Sequence, residues 1–211
     1  MREEFLMIKY HKKHECWWPS NGRNDVKDIE FLQMTLPSMD NAIDLCKKHK
    51  LCLQAGGHVG LWPLRLAKSF ETVITFEPQD ELFECLLHNV KNVDNIDPHC
   101  AALGQCEGRA MMLLKGNAAV GRVDAAGTVD VRMVSIDSLE LDQCDALFLD
   151  VEGYEVEVLR GAVDTIKRYR PIIQVEMLPR VRVEIDKFLT GIGYRFNRRA
   201  GKDAIYVNTK R

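Results

Sequence analysis

From residue 50 to residue 208 the chain alternates short apolar runs with segments of helical period. Residues 50–54 form a short apolar run, followed by a glycine-containing turn and a helical stretch through residue 68. Residues 72–77 are β-branched and strand-like, and Leu82, Leu86 and Val90 then recur at i+4, the stripe of a helix with one buried face. Pro78 suits a first helical turn, where its missing donor goes unused, and Asp80 and Glu81 favour the helix dipole there. Residues 96–100 make a weak third strand, and strand-like segments at 110–115 and 128–135 flank a glycine-containing loop at 116–127. The run 146–150 leads into a helix with Val156, Leu159, Val163 and Ile166 on one face, closed by basic residues and Pro171. Residues 171–176 form another buried strand, and Val181, Ile185, Phe188 and Leu189 mark another helix. Segments 194–197 and 204–208 close the chain as a hairpin. Upstream, residues 1–30 lack periodicity and read as an extension. A helical pattern begins at Ile29, breaks at Pro37 and resumes over about 39–49. Strands alternating with helices predict one α/β domain over 31–211, with a mostly parallel sheet covered on both faces.

Composition narrows the setting. A chain of 211 residues can bury a full core, and no apolar run approaches the 18 residues a membrane span needs. The opening residues carry no apolar signal-peptide core, and the seven cysteines are scattered without a C-x-x-C pair. Together these predict a reduced, cytoplasmic protein. A net charge of −2 argues against a strongly electrostatic nucleic-acid binder.

Two segments carry the chemistry. The turn Gln54-Ala-Gly56-Gly57-His58-Val-Gly60 joins a strand to a helix, and Glu77 stands at the tip of the next strand, 23 positions beyond Gln54. An acid so placed can hold both hydroxyls of a ribose. The first glycine of the dinucleotide G-x-G-x-x-G pattern is missing, whereas Gln54-x-Gly56-x-x-x-Gly60 is similar to the D-x-G-x-x-x-G frame of S-adenosylmethionine-dependent methyltransferases. The second segment, residues 147–162, is a buried strand ending in Asp150, Glu152 and Glu155 and turning into a helix. Ligands of open α/β sheets bind at the carboxyl ends of strands.

Over residues 51–176 these motifs resemble the FkbM family of class I methyltransferases. The resemblance rests on the glycine loop, Phe76-Glu77-Pro78, the helix end Leu86-Leu87-His88-Asn89-Val90, and Ala101-Ala102-Leu103-Gly104. It continues through Ser135-Ile136-Asp137-Ser138-Leu139, Asp150-Val-Glu152-Gly153-x-Glu155, Val158-Leu159-Arg160-Gly161-Ala162 and Pro171-Ile-Ile-x-Val-Glu176. The glycine loop and Thr75-Phe-Glu-Pro also resemble a branch found in bacteriophage genomes. The resemblance implies a Rossmann-like fold with a mostly parallel seven-stranded sheet and a C-terminal antiparallel hairpin. It implies S-adenosyl-L-methionine as cofactor, with Gln54, Gly56, Gly57, His58 and Gly60 along the methionine and ribose. Glu77 would hold the ribose hydroxyls, Pro78, Ala101 and Ala102 would flank the adenine, and Asp150 would stand beside the methyl group. The family usually has an acid where this chain has Gln54, so the charge attraction for the methionine ammonium is lost there.

Methyl transfer mainly requires alignment of an acceptor, and a hydroxyl acceptor gains from a general base. Asp150 and Glu152 are the expected catalytic residues, and Glu155 is expected mainly to open the helix. Asp150, Glu152 and Glu176 could converge as oxygen ligands for Mg²⁺, although nothing in the spacing demands a metal. Trp17, Trp18, His58 and Glu176 are expected toward the acceptor, one tryptophan anchoring the extension and the other roofing the pocket. His11, His14 and Cys16 match no zinc spacing. The expected acceptor is a hydroxyl of a small molecule or carbohydrate, and the expected chain has no membrane partner. The Asp/Asn-Pro-Pro-aromatic and Pro-Cys motifs of DNA base methyltransferases are absent. Nucleic-acid methylation on ribose or base, a nicotinamide dehydrogenase and a non-catalytic nucleoside-cofactor-binding module are the alternatives.

Overall fold

A seven-stranded sheet organises the computed structural model, which describes residues 8–20, 25–114 and 121–210. Its strands in chain order are β3 (Leu51–Ala55), β4 (Thr72–Phe76), β5 (Ile96–His99), β10 (Ala146–Leu149), β11 (Ile172–Glu176), β12 (Tyr194–Ala200) and β13 (Asp203–Asn208). Two further groups of strands lie outside it. The hairpin β1 (Ile8–His11) and β2 (Cys16–Pro19) precedes it, and β6 (Ala102–Leu103), β7 (Gly108–Leu114), β8 (Gly121–Val123) and β9 (Val129–Val134) form a four-stranded sheet of their own.

The large sheet runs β12-β13-β11-β10-β3-β4-β5. Strands β5, β4, β3, β10 and β11 are parallel, while β13 pairs antiparallel with both β11 and β12. The expected closing hairpin is therefore present. From β3 the chain moves outward through β4 and β5, then returns to β10 on the other side of β3 and moves out the opposite way. The strand order reverses between β3 and β10, so the connections leaving their carboxyl ends diverge and open a crevice. In register, Leu149 lies opposite Ala55.

Side chains alternate across the sheet and build two apolar layers. Along β10, Leu147 and Leu149 join the layer that also holds Leu53, Phe76, Val175 and Tyr206. Ala146 and Phe148 join the other, with Cys52, Val73, Trp62 and Ile205. Burial on both faces explains why the central strands are continuously apolar. The helices are α1 (Asp25–Ile43), α2 (Leu61–Leu66), α3 (Asp80–Val90), α4 (Glu155–Arg160), α5 (Val163–Tyr169) and α6 (Arg182–Gly191). Five of the seven cysteines are buried as free thiols, Cys46, Cys52 and Cys144 among the two main layers.

Several elements depart from the periodicity. Helix α1 starts at Asp25 and runs through Pro37 to Ile43, instead of breaking at Pro37 and resuming over 39–49. Proline removes one helical hydrogen bond. Complete burial of Ile29, Met39 and Ala42 on both sides of it holds the helix together. After Ile43 the chain tightens into three-residue turns, with Leu45 and Cys46 amides donating to the Ala42 and Ile43 carbonyls. Pro78 precedes helix α3, whose first residue is Asp80.

The single helix expected after Asp150 is two, broken at Gly161 and Ala162. A Cβ at Gly161 would stand 2.0 Å from the Gly104 carbonyl oxygen. The Gly161 carbonyl accepts the Asp137 amide at 2.8 Å. The Asp137 carboxylate in turn accepts the Thr165 and Asp164 amides at 2.8 and 3.1 Å, capping α5. The break thus docks one motif onto another. Of the expected loop at 116–127, residues 116–120 lie outside the described residues, and β8 occupies Gly121–Val123.

Candidate active site

The glycine turn after β3 is shaped by the strand tips on either side. The Gly56 and Gly57 amides both donate to the Phe76 carbonyl, at 3.0 and 2.8 Å. Gly56 has φ +84°, and a Cβ there would stand 1.9 Å from the Asp150 carbonyl oxygen. Only glycine lets the turn pass this close to the end of β10. Gly60, at φ +93°, sets the turn into α2.

Gln54 does not line the cavity at this crevice, contrary to expectation, and it is fully buried. Its carbonyl oxygen accepts the Thr75 hydroxyl, and its amide nitrogen donates to the Ala55 and Gly56 carbonyls at 3.1 and 2.8 Å. The glutamine braces the turn from below. A neutral amide can donate to two carbonyls, which a carboxylate cannot do. Gly60 also stands outside the cavity lining and acts through its turn.

Glu77 stands at the tip of β4, 3% exposed. One carboxylate oxygen accepts the His58 amide at 2.8 Å and the other the Gln79 amide at 2.9 Å. These bonds orient the group and leave further lone pairs for ligand hydroxyls. Burial outweighs both hydrogen bonds and lifts its pKa from 4.5 to about 7. His58 has φ +48°, and both its ring nitrogens are buried without a hydrogen-bond partner. Burial lowers its pKa to about 4, so the ring is neutral at pH 7.

The β1–β2 hairpin supplies the next wall. Trp18 is 3% exposed and its ring lies 5.1 Å from that of His58. Trp17 points elsewhere, 4.8 Å from the His88 ring on α3. Asn89 fastens this contact: its oxygen accepts the Trp17 amide, and its nitrogen donates to the Trp17 and Val59 carbonyls at 3.0 and 2.7 Å. Asn89 had appeared in the sequence only as part of a resemblance, and its job is to tie the hairpin to the glycine turn.

A cavity of ≈ 530 Å³ opens at the crevice. Gly56, Gly57, His58, Glu77, Pro78, Ala101 and Ala102 line one part of it. Asp150, Glu152 and Glu176 line another, and Trp18 and the α1 residues Phe31, Leu32 and Met34 complete the wall. Trp17 is not among the lining residues. The periodicity had not placed α1 at the site, although its helical stripe was visible.

The acids meet because β10 and β11 are parallel neighbours whose ends lie side by side. One oxygen each from Asp150, Glu152 and Glu176 lies within 4.8 Å of the others. Burial first, then Glu176 and Asp203, hold the Asp150 carboxyl well above the usual carboxylate range. Burial, then Glu152 and Glu155, raise Glu176 to about 7. Glu152 sits at φ +54°, and Arg180 donates to its carbonyl. Glu155 is fully buried, and one of its oxygens accepts the Gly153 amide at 2.8 Å, bracing the loop before α4. Among the described residues no helix is long and apolar enough to cross a membrane.

The sequence pattern of the methyltransferase FkbM domain matches residues 54–196. No curated protein matches the chain. Among solved structures, methyltransferase FkbM from Methylobacillus flagellatus KT aligns at 17% identity with a TM-score of 0.57, over 76% of this chain and 43% of that one. This chain therefore spans less than half the length of that relative. Magnesium protoporphyrin IX methyltransferase from Synechocystis PCC 6803, with bound SAM, aligns at 15% identity and TM-score 0.53, over 86% and 82% of the two chains. A putative RNA methyltransferase from Pyrococcus horikoshii aligns at 12% identity and TM-score 0.52, over 83% and 84%. These likenesses show the class I Rossmann-like methyltransferase fold. The family match covers well over half of the 211 residues and runs from the glycine turn into the closing hairpin, so the chain belongs to the FkbM methyltransferase domain family.

Proposed function

We propose that this protein transfers a methyl group from S-adenosyl-L-methionine to a hydroxyl of a small molecule or sugar. One observation carries the proposal: Glu77, the glycine turn and the strand-end carboxylate of Asp150 share a single cavity. The residues present suit the cofactor. Glu77 keeps lone pairs for two ribose hydroxyls after accepting two amides. Gly56 and Gly57 leave the turn without side chains, and the acids at Asp150 complement a cationic sulfonium and ammonium. S-adenosyl-L-methionine would supply a methyl group on a good leaving group.

The chain's own residues would then orient the acceptor and take its proton. Asp150 stands at the end of β10, part-exposed to the cavity, where a carboxylate can take a proton from an acceptor hydroxyl. Glu176 stands next to it at the end of β11. Glu152 lies in the loop after β10, with one carboxylate oxygen within 4.8 Å of those of Asp150 and Glu176. Trp18 and the α1 side chains offer apolar surface to the body of an organic acceptor.

Calorimetric titration with S-adenosyl-L-methionine and, separately, NAD⁺ tests the proposal. Saturable binding of the former alone is expected, and its absence would end the proposal. Transfer of tritiated methyl groups to carbohydrate, small-molecule alcohol and RNA pools then sorts the acceptor. Label confined to RNA would overturn the small-molecule assignment.

A further inference from the structure

The geometry points to a divalent-cation site formed by Asp150, Glu152 and Glu176. The first observation is convergence. Asp150 comes from the end of β10, Glu152 from the loop after it and Glu176 from the end of β11, yet one oxygen of each lies within 4.8 Å of the others. Oxygens around one Mg²⁺ or Mn²⁺ lie about 3–4 Å apart when each bond is about 2.1 Å, and around Ca²⁺ they span up to about 5 Å. Closing the three carboxylates onto one ion thus needs only small side-chain adjustments.

The second observation is independent of that spacing. Glu176 is only 7% exposed, and its Oε2 is buried with no hydrogen-bond partner. A buried polar atom without a partner is costly, and native proteins rarely tolerate one. Its neighbour Asp203 is equally buried, but one of its oxygens accepts hydrogen bonds from Gln174 and Ser38. Glu176 receives none.

Counter-ions do not resolve the cluster. Arg180 donates to the Glu152 carbonyl rather than to its carboxylate, and Lys202 is exposed with its ammonium 5.0 Å from the centre of the Phe31 ring. Among the described residues neither forms an ion pair with the three acids. An all-oxygen set favours hard cations over zinc or copper. An ion here would face the cavity and hold an acceptor oxygen beside Asp150, making its proton easier to remove. That role rests on the methyltransferase proposal, whereas the site itself does not.

The test is titration of the full chain with Mn²⁺, following loss of the free-ion electron paramagnetic resonance signal, with Mg²⁺ and Ca²⁺ as competitors. One saturable Mn²⁺ per chain is expected. Glu176→Gln and Asp150→Asn should each weaken it at least about tenfold, since even outer residues of metal sites cost about that much. Exposed Glu107→Gln should leave it unchanged. Circular dichroism melts check folding, and Glu152→Gln, on the part-exposed loop, serves if a buried variant fails to fold. No saturable Mn²⁺ in the wild type, or a site indifferent to the folded variants, overturns the inference. S-adenosyl-L-methionine binding is measured on the same samples without metal. Mn²⁺ bound at these acids without cofactor binding sustains the cation site and sinks the methyltransferase proposal. Cofactor binding without a Mn²⁺ site does the reverse.

Discussion

Replacing Glu77 by glutamine should weaken cofactor binding and remove its dependence on pH. Two amides, from His58 and Gln79, point at the two carboxylate oxygens, so a proton on the group would compete with donors already in place. The ionised form is therefore the one that accepts ligand hydroxyls. With a pKa of about 7, about a tenth of the group is ionised at pH 6 and about nine-tenths at pH 8. Cofactor affinity should rise about tenfold between those values, and binding at pH 6 should release about one proton. The sign for stability is opposite. Unfolded glutamate loses its proton near 4.5, and the folded group keeps it to about 7, so stability falls as pH rises through that window. The group is almost wholly buried, and the shift corresponds to about 3 kcal/mol above pH 7. Glu77→Gln removes that penalty, but it also removes charge-assisted hydrogen bonds worth about 1.5–3 kcal/mol each and leaves one buried amide without its acceptor, so the variant gains no net stability and only the pH dependence of stability in this window is lost. Calorimetry from pH 5.5 to 8.5, in buffers of different ionisation enthalpy, should show a tenfold or greater loss of affinity at pH 8 and a flat profile for the variant. A wild-type affinity independent of pH, or a variant that keeps the slope, would refute the reasoning.

Asp150→Ala should abolish turnover, with a loss of at least about 10²-fold expected for a general base; near-wild-type initial rates in the methyl-transfer assay would remove Asp150 from the mechanism. Gly56→Ala must place a Cβ 1.9 Å from the Asp150 carbonyl oxygen at φ +84°, so the turn has to move. The left-handed conformation alone costs about 1–2 kcal/mol, and cofactor affinity should fall at least tenfold by calorimetry. Asn89→Ala removes two hydrogen bonds to the β1–β2 hairpin and one to the glycine turn, each worth about 0.5–1.5 kcal/mol. It should lower the thermal midpoint by several degrees and raise exposure of Trp18 in fluorescence quenching.

Much of the site was legible because its motifs are local. The left-handed backbone at Gly56 is a demand of the turn itself, and Glu77, at the tip of the second strand, lines the cavity. Gln54 was harder. As a strand-end residue in the place of a family acid, it invited a ligand role, yet the fold turns it inward onto Thr75 and the turn carbonyls. Asn89 and Asp137 carried no chemical signal, because the side chain of each acts on partners 27 or more positions away.

Strand and helix periods, the glycine turn, Glu77 and the acids after β10 were determined by the sequence itself, since each depends on neighbours within a few residues. Two of the helical predictions failed where long-range packing overrode local preference: burial of Met39 and Ala42 carried α1 through Pro37, and the Gly104 carbonyl split the helix at Gly161. Only the tertiary structure could decide which acids meet. Glu176 is 26 positions from Asp150, and parallel pairing of β10 with β11 is what sets their carboxylates side by side. The same packing brought Trp18 and α1 over the cavity. Such contacts arise from the strand order and the burial of both faces of the sheet, which no local pattern encodes.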